Sequence, residues 1–379
     1  MESDPIEIRR AKSEDWPQIE LFILSTYGAT GSHKGKVRWH WQFEINPFRP
    51  VSDSGPTVWI ALSGDKVVGQ IAVQDAACRV EGRQIEAAWI VDVMIEPEFR
   101  GRGLGHLLHS QIMRERSCLV TLTMAEATRR IAERAGCLRL GPTQQYLCPR
   151  NITMRTVRRY LMGKEIVRPD LALTLRLFSN SLVGPAAIAV ASRIGVKLKR
   201  LLKRRLVGPS FHFVEVERFP LEVDKLWQKA SGAFVAIFVR SVEFLNWRFS
   251  DCPDLQYRRF IMYSGTEMIG YIITRVGTNE ELPVGVIVDF FAMPCDTTAH
   301  DALFEHAYKI FPPQVEYLEA AASTESFRQA LERQGYFGIR TMRPTIVCTD
   351  PELKLLLERH INDWHFTKAD HDWDQIHPI

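Results

Sequence analysis

The chain has 379 residues, enough for two or three domains with a substantial core. Its 48 basic and 45 acidic residues give a net charge of +3, which is too even for a general nucleic-acid binder, so we predict no nucleic-acid partner. Seven scattered cysteines without a C-x-x-C pair argue against a disulfide framework and against a metal site.

The charged N-terminal segment lacks the apolar core of a signal peptide, and no stretch is apolar enough to span a membrane, so we expect a cytoplasmic protein.

The first 150 residues are predicted to alternate strands and helices. Ser13 is predicted to cap the first helix. The predicted order is strand (IEIRRA), helix (SEDWPQIELFIL), hairpin (TVWIALSG and KVVGQIAV), strand (88–95), helix (103–116), strand (CLVTLTM) and helix (AEATRRIAERAG). A helix–sheet layer architecture follows from this order.

Four short stretches recur about 200 residues later in the same order. WQFEINP recurs as WRFSDCP, SGDKVVG as SGTEMIG, IVDVMIEP as IVDFFAMP, and AERAGC as LERQGY. Collinear matches at similar offsets indicate two copies of one domain. We predict domains at 1–149 and 211–350, a basic amphipathic helical linker at 150–210 and a C-terminal tail at 351–379.

A glycine-rich turn separates the predicted strand at 88–95 from the next helix. Gly101, Gly103 and Gly105 let the backbone approach a ligand closely, and the first amides of a helix have no internal partner. Arg100 and Arg102 add positive charge. The pattern predicts an anion cradle suited to phosphate, although a tight connection without a ligand is the alternative.

The stretch VMIEPEFRGRGLG resembles the acyl-CoA signature R/Q-x-x-G-x-G/A of the GNAT superfamily of N-acyltransferases, with Arg100, Gly103 and Gly105 at its fixed positions. The resemblance implies two tandem α/β GNAT-like domains, each a mixed, mostly antiparallel sheet flanked by helices. It also implies that the turn binds the pyrophosphate of acetyl-CoA and that the backbone near Met94 meets the thioester carbonyl. The implied acyl-CoA-binding residues are Val93, Met94, Ile95, Arg100, Gly101, Arg102, Gly103, Leu104 and Gly105.

The catalytic groups usual in that family are missing from their expected positions. Trp89 stands where a glutamate base is often found, and Ala132 stands where a tyrosine acid is often found. Glu86 and Asp92 are weak candidates for the base. Because Asp289 repeats Asp92 in the second copy, a structural role for Asp92 is favoured.

The second copy has no glycine at the corresponding turn, and Asp296 and Asp301 would repel a pyrophosphate. We therefore expect the C-terminal copy not to bind coenzyme A. The tail NDWHFTKADHDWDQIHPI clusters aromatic, acidic and histidine residues, and we expect it to pack across the other domain rather than to bind a metal.

The linker contains a basic amphipathic stretch at 185–206. Packing on a neighbouring domain is favoured over peripheral contact with an anionic membrane, which stays open.

We thus predict an acyl-CoA-dependent N-acyltransferase that acetylates an amine, carried by a small molecule, a sugar or a peptide, by direct attack in a ternary complex. The alternatives are a non-catalytic protein that binds coenzyme A and an aminoacyl transferase of the peptidoglycan-bridge type.

Overall fold

The structure is a computed structural model that describes residues 5–28, 34–122, 124–153, 211–279 and 282–376, with isolated positions between 187 and 195. Strands in the first half are β1 (Ile6–Arg10), β2 (Val58–Ser63), β3 (Lys66–Val80), β4 (Arg83–Ile95), β5 (Cys118–Thr121), β6 (Leu138–Arg139) and β7 (Thr143–Pro149). Helices there are α1 (Trp16–Tyr27), α2 (Lys36–Phe43), α3 (Leu104–Glu115) and α4 (Glu126–Arg134).

The second half repeats this order, with one further strand between its first two helices and three further elements at its end. Its strands are β8 (Phe211–Val216), β9 (Ala236–Phe238), β10 (Arg258–Ser264), β11 (Glu267–Asn279), β12 (Leu282–Ala292), β13 (Tyr317–Ala322), β14 (Phe337–Met342), β15 (Thr345–Cys348) and β16 (Trp364–His365). Its helices are α5 (Glu222–Ser231), α6 (Val242–Phe249), α7 (Thr297–Ile310), α8 (Glu325–Arg333), α9 (Pro351–Arg359) and α10 (Trp373–Ile376).

The first compact unit comprises residues 1–140, 235–255 and 344–362. Its sheet has the order β1-β2-β3-β4-β5-β15-β6, and β9 pairs with the far end of β3. All of these neighbours are antiparallel except β4 and β5. Leu104, Leu108 and Ile112 of α3 pack on one face of the sheet, in a core that includes Trp59 and Ile71. Burial of these apolar side chains fixes α3 against the strands that precede it.

The second compact unit comprises residues 141–234, 256–343 and 363–379. Its sheet has the order β14-β7-β13-β12-β11-β10-β8, with β12 and β13 as the parallel pair. Both units are therefore mixed, mostly antiparallel α/β layers, as the resemblance implied.

The compact units differ from the contiguous domains expected at 1–149 and 211–350. β7 follows the first copy in the chain but pairs with β13 and β14, and β15 follows the second copy but pairs with β5 and β6. The tail expected at 351–379 is also divided, because α9 belongs to the first unit and residues 363–379 belong to the second. Each copy thus contributes its last strand to the sheet of the other.

The repeated tryptophan motif lies within the first unit, on α2 and α6. The rings of Trp41 and Trp247 stack at 4.9 Å, and each indole nitrogen donates to the other residue's carbonyl, at 2.9 and 3.1 Å. The reciprocal contact joins two residues that the sequence identifies as equivalents.

Several boundaries differ from the sequence prediction. Ser13 does not cap α1: it lies in a 3₁₀ turn (Ser13–Asp15), its hydroxyl contacts Glu44, and Asp15 takes the N-cap position. β4 starts at Arg83 rather than near 88, because it pairs with β3 over almost its full length. The helix predicted at 103–116 spans 104–115.

Of the predicted linker at 150–210, the structure describes residues 150–153 and isolated positions between 187 and 195, so the stretch predicted to be amphipathic at 185–206 lies almost wholly outside the described residues. In the part of the chain that the structure describes, no helix has both the length and the apolar content needed to cross a membrane.

Candidate acyl-donor site

The glycine turn links β4 to α3 in a conformation that only glycine adopts easily. Gly101 has φ +77° and Gly103, the N-cap of α3, has φ +83°. A Cβ built on either residue would meet no atom within 4 Å. The glycines are therefore required by backbone conformation rather than by crowding, and the space beside the turn is open.

The amides of the turn are mostly unused. Arg100 N–H donates to Pro97 O at 3.2 Å, and Leu107 N–H donates to Gly103 O at 3.1 Å. Between them, in the described part of the chain, residues 101–106 donate no backbone hydrogen bond to the protein. Amides that converge at a helix N-terminus attract an anion, so the turn has the geometry of an oxyanion or phosphate site.

Arg100, Arg102 and Leu104 are predicted binding residues whose amides or side chains are already engaged within the protein. The Arg100 amide is engaged, and its Nε donates to Ile95 O at 3.0 Å, while the Arg102 guanidinium lies 5.1 Å from the centre of the Phe99 ring. Leu104 is buried in the core, so it offers its backbone rather than its side chain. The unpaired amides begin at residue 101, one residue later than the sequence suggested.

β4 and β5 separate beside this turn. The two strands pair only at Ala88 with Leu119 and at Trp89 with Val120. β5 ends at Thr121, whereas β4 continues to Ile95. In the part of the chain that the structure describes, the edge of β4 from residue 91 onward therefore has no strand partner on that side, which leaves a wedge-shaped opening that ends at the glycine turn.

The ladder with β3 fixes which backbone groups face the opening. Glu96 N–H donates to Val68 O on β3 at 2.9 Å, so by alternation the amide of Met94 also faces β3. The N–H and C=O of Ile95 point the other way, and the bond from Arg100 Nε to Ile95 O agrees with this. Ile95, rather than Met94, presents the amide nearest the opening.

The side chains of this strand lie on two faces. Val93 and Ile95 are partly buried against the α3-side core, and Met94 lies on the opposite face at 5% exposure. A Cβ on Gly105 would lie 3.5 Å from both Ile95 Cδ1 and Ile131 Cδ1, so Gly105 allows close approach between α3 and its neighbours.

Asp92 occupies a β-bulge at the start of the opening. Its φ is +51°, and the β3–β4 register shifts between Gln70 and Ala72 at this level. Its carboxylate forms an ion pair with Lys34, and both side chains are nearly buried. In the second unit Asp289 is also bonded, by Tyr271 Oη at 2.9 Å and Thr367 Oγ1 at 2.7 Å. The carboxylates of Asp92 and Asp289 are thus both bonded to protein side chains, which favours a structural role for Asp92.

Glu86 lies too far from the opening to serve it. It is exposed and pairs with Ala77, eight residues before Met94 on β4, which corresponds to about 26 Å along the strand. It lines a separate cavity of about 240 Å³ together with Asp75 and Arg116. Trp89 and Ala132 are both buried, and neither side chain can transfer a proton. The positions where the family often has a glutamate base and a tyrosine acid therefore hold no catalytic group.

His109, one helical turn after Gly105, was not singled out from the sequence. Its Nδ1 lies 2.7 Å from Gly105 O, which can only accept, so Nδ1 carries the proton. Burial lowers the pKa of His109, and the imidazole is therefore neutral at pH 7. It contributes no charge to the turn.

The second unit closes the equivalent positions. Asp296 caps α7 by accepting from Ala299 N–H at 2.9 Å, so a carboxylate occupies the helix start. Residues of the tail contact both β12 and β13 where these strands separate: Thr367 bonds Asp289, and Lys368 Nζ lies 2.8 Å from Glu319. No group of three His, Cys, Asp or Glu side chains that could hold a metal occurs among the residues with described positions.

Residues 7–137 match the family model described as an acetyltransferase (GNAT) domain. The fold is similar to a GCN5-related N-acetyltransferase from Anabaena variabilis, with 13% identity, TM-score 0.58, and coverage of 90% of this chain and 72% of that one. It is also similar to Saccharomyces cerevisiae N-myristoyltransferase with bound myristoyl-CoA and inhibitors, with 9% identity, TM-score 0.56, and coverage of 92% and 80%. At these identities the likeness establishes the fold. No curated protein sequence matches the chain.

Proposed function

We propose that this chain, whose residues 7–137 match an acetyltransferase (GNAT) domain, is an N-acyltransferase that transfers an acetyl group from acetyl-CoA to an amine. The observation that carries the proposal is the row of unpaired amides at 101–106, directly beside the opening between β4 and β5. In the proposed complex these amides bind the pyrophosphate, and Val93, Met94 and Ile95 line the pantetheine arm.

The proposed reaction is direct attack of a neutral amine on the thioester carbon. In the proposed complex the N–H of Ile95 donates to the carbonyl oxygen as negative charge develops there, which stabilises the tetrahedral species. The new bond joins nitrogen to the acyl carbon, the carbon–sulfur bond breaks, and the proton lost by the amine passes to the departing thiolate, so that the products are the amide and coenzyme A. Holding both reactants at one opening supplies the gain from proximity.

A covalent acyl-enzyme is disfavoured by the state of the cysteines in the first unit. Burial raises the pKa of Cys78 to about 12 and that of Cys252 to about 11, and it also raises the pKa of Cys118, Cys137 and Cys348. All five thiols are therefore protonated at neutral pH and are poor nucleophiles. The acceptor amine is proposed to belong to a small molecule, a sugar or a peptide.

Calorimetric titration with coenzyme A tests the donor site. We expect Gly103→Asp to weaken binding by about 100-fold or more, because it adds a carboxylate at the anion site and a side chain where φ is +83°. The fold should survive, since a Cβ at Gly103 meets open space.

Thr298→Asp is the matched control, because it adds the same charge to the exposed first turn of α7 in the second unit. It should leave coenzyme A binding unchanged. Equal affinity of Gly103→Asp and the wild type would refute the assignment of the turn.

Release of coenzyme A from acetyl-CoA, measured with a panel of amines, tests the reaction itself. Turnover with an amine supports the proposal. Tight binding without turnover would instead support a non-catalytic protein that binds coenzyme A, and failure to bind would favour the aminoacyl-transferase alternative.

A further inference from the structure

A cavity of about 240 Å³ lies in the first unit, at the end of β4 that is remote from the glycine turn. Its walls come from the start of β4, the end of α3 and the loop before β2. Pockets for drug-sized ligands occupy about 300–1,000 Å³, so this cavity matches a smaller molecule, about the size of an amino acid. Glu86 and Arg114 in its wall are both exposed, so the cavity is open to solvent.

Three of the five charged side chains that line the cavity are paired within the protein. Arg116 Nε donates to Asp75 Oδ1 at 2.7 Å, and Glu115 Oε1 accepts from Trp59 Nε1 at 2.8 Å. Because these groups already have partners, they hold the wall in place and are not the first to bind another molecule.

The other two charged side chains, Glu86 and Arg114, form no ion pair or hydrogen bond with any residue that the structure describes. Their charges are opposite, and both side chains line one small cavity. A simple anion or cation would pair with only one of them. A molecule that carries both an ammonium and a carboxylate group would pair with both through charge-assisted hydrogen bonds.

Apolar side chains line another part of the cavity. Phe48 and Pro50 come from the loop before β2, and Met113 comes from the last turn of α3, and all three are only partly buried. A ligand with an apolar group placed against them would remove apolar surface from water on both sides of the contact. The wall therefore provides one negative, one positive and one apolar contact.

We propose that this cavity binds a free α-amino acid with an apolar side chain. Its ammonium group pairs with Glu86, its carboxylate pairs with Arg114, and its side chain contacts Phe48 and Met113. Glu86 lies eight residues before Met94 on β4, about 26 Å along the strand, so the bound amino acid is not the acceptor at the acyl-donor site. The cavity is a second ligand site and does not depend on the proposed function.

Calorimetric titration of the full chain, without coenzyme A, tests the site with five probes: alanine, valine, leucine, methionine and phenylalanine. We expect saturable binding of at least one of them. For the tightest binder, the amide derivative lacks the carboxylate and the N-acetyl derivative lacks the ammonium group. Each derivative should bind about tenfold or more weakly than the amino acid, since each loses one charged contact.

Two variants separate the two charged contacts. Glu86→Gln should weaken binding of the amino acid by about tenfold or more and leave the affinity for the N-acetyl derivative unchanged, because that derivative has no ammonium group. Arg114→Gln should weaken binding of the amino acid similarly and leave the affinity for the amide derivative unchanged. Both side chains are exposed and unpaired among the described residues, so the melting temperature without ligand should not change.

Arg83→Gln is the matched control, because Arg83 is exposed at the start of β4 but does not line the cavity. It should bind all three compounds as the wild type does. Failure of all five amino acids to bind would overturn the inference, and so would binding that neither Glu86→Gln nor Arg114→Gln weakens. Because no step uses coenzyme A, failure of the donor site would leave this result unchanged and would be recognised separately.

Discussion

Asp92 combines a left-handed backbone, a β-bulge and an ion pair with Lys34. A carboxylate beside the opening could act as a general base, but Asp92 is engaged by Lys34, and its repeat Asp289 is also bonded in a unit without the glycine turn. The bonding pattern favours a role in shaping the bulge that orients Val93 and Ile95.

We expect Asp92→Asn to lower the free energy of unfolding by about 1–3 kcal/mol, because Lys34 loses its counter-charge in a nearly buried position. Asparagine tolerates positive φ, so the bulge should persist and kcat should fall by less than about tenfold. Urea denaturation and initial rates measure the two effects, and Lys34→Met with the double variant isolates the pair. A fall in kcat of about 100-fold or more at unchanged stability would make Asp92 the base instead.

Residue-scale prediction from the sequence was uneven for physical reasons. The glycine turn could be located because its chemistry is local: three glycines and two arginines within six residues. The Asp92–Lys34 pair joins residues 58 positions apart, and nothing in either segment indicates the other.

Helix α7 packs against the edge strand β8 and its neighbour β10 in the second sheet through the ring of His306. His306 on α7 stacks on Phe213 of β8 at 3.9 Å and meets Phe260 of β10 edge-on at 4.8 Å. Burial, with help from nearby Lys309 and Arg258, lowers the pKa of His306 to about 4. The ring is therefore neutral in the folded state across most of the acidic range.

This packing predicts a pH dependence of stability. The unfolded chain takes up a proton on His306 near its ordinary pKa of about 6.5, whereas the folded chain does so only near 4. Stability should therefore fall as pH decreases from about 6.5 to about 4. His306→Phe keeps the stacking and removes the titration, so it should lose less stability between pH 7.5 and pH 5 in urea unfolding.

The exposed His212→Gln serves as the control and should keep the wild-type slope. Parallel profiles for His306→Phe and the wild type would show that burial of His306 does not set the pH dependence.

At the level of elements, the hairpins and the strand–turn–helix order followed from local signals. Helix starts were less certain, because Ser13 finds its partner in Glu44 and a 3₁₀ turn precedes α1. The exchange of β7 and β15 could not be predicted, since a short apolar strand such as TIVC carries the same pattern whichever sheet it joins.

The whole molecule is built from two copies that complete each other's sheets. The first unit needs β9 and α6 from 235–255 and β15 and α9 from 344–362. In the strand ladders of β15, Cys348 lies opposite Cys118 of β5 and Ile346 lies opposite Leu138 of β6. Without β15 the strands β5 and β6 therefore lose their common neighbour. Val347 also belongs to the core beneath α3.

We therefore expect residues 1–149 expressed alone to lack a cooperative thermal transition and coenzyme A binding, even though they contain every predicted donor-site residue. An open β5 edge and a core missing its β15 and β9 contacts favour aggregation over folding. Circular dichroism melting and titration with coenzyme A measure both properties, and co-expression with residues 150–379 should restore them. A fragment 1–149 that melts cooperatively and binds coenzyme A would mean that the exchanged strands are dispensable and that the first copy is a domain in its own right.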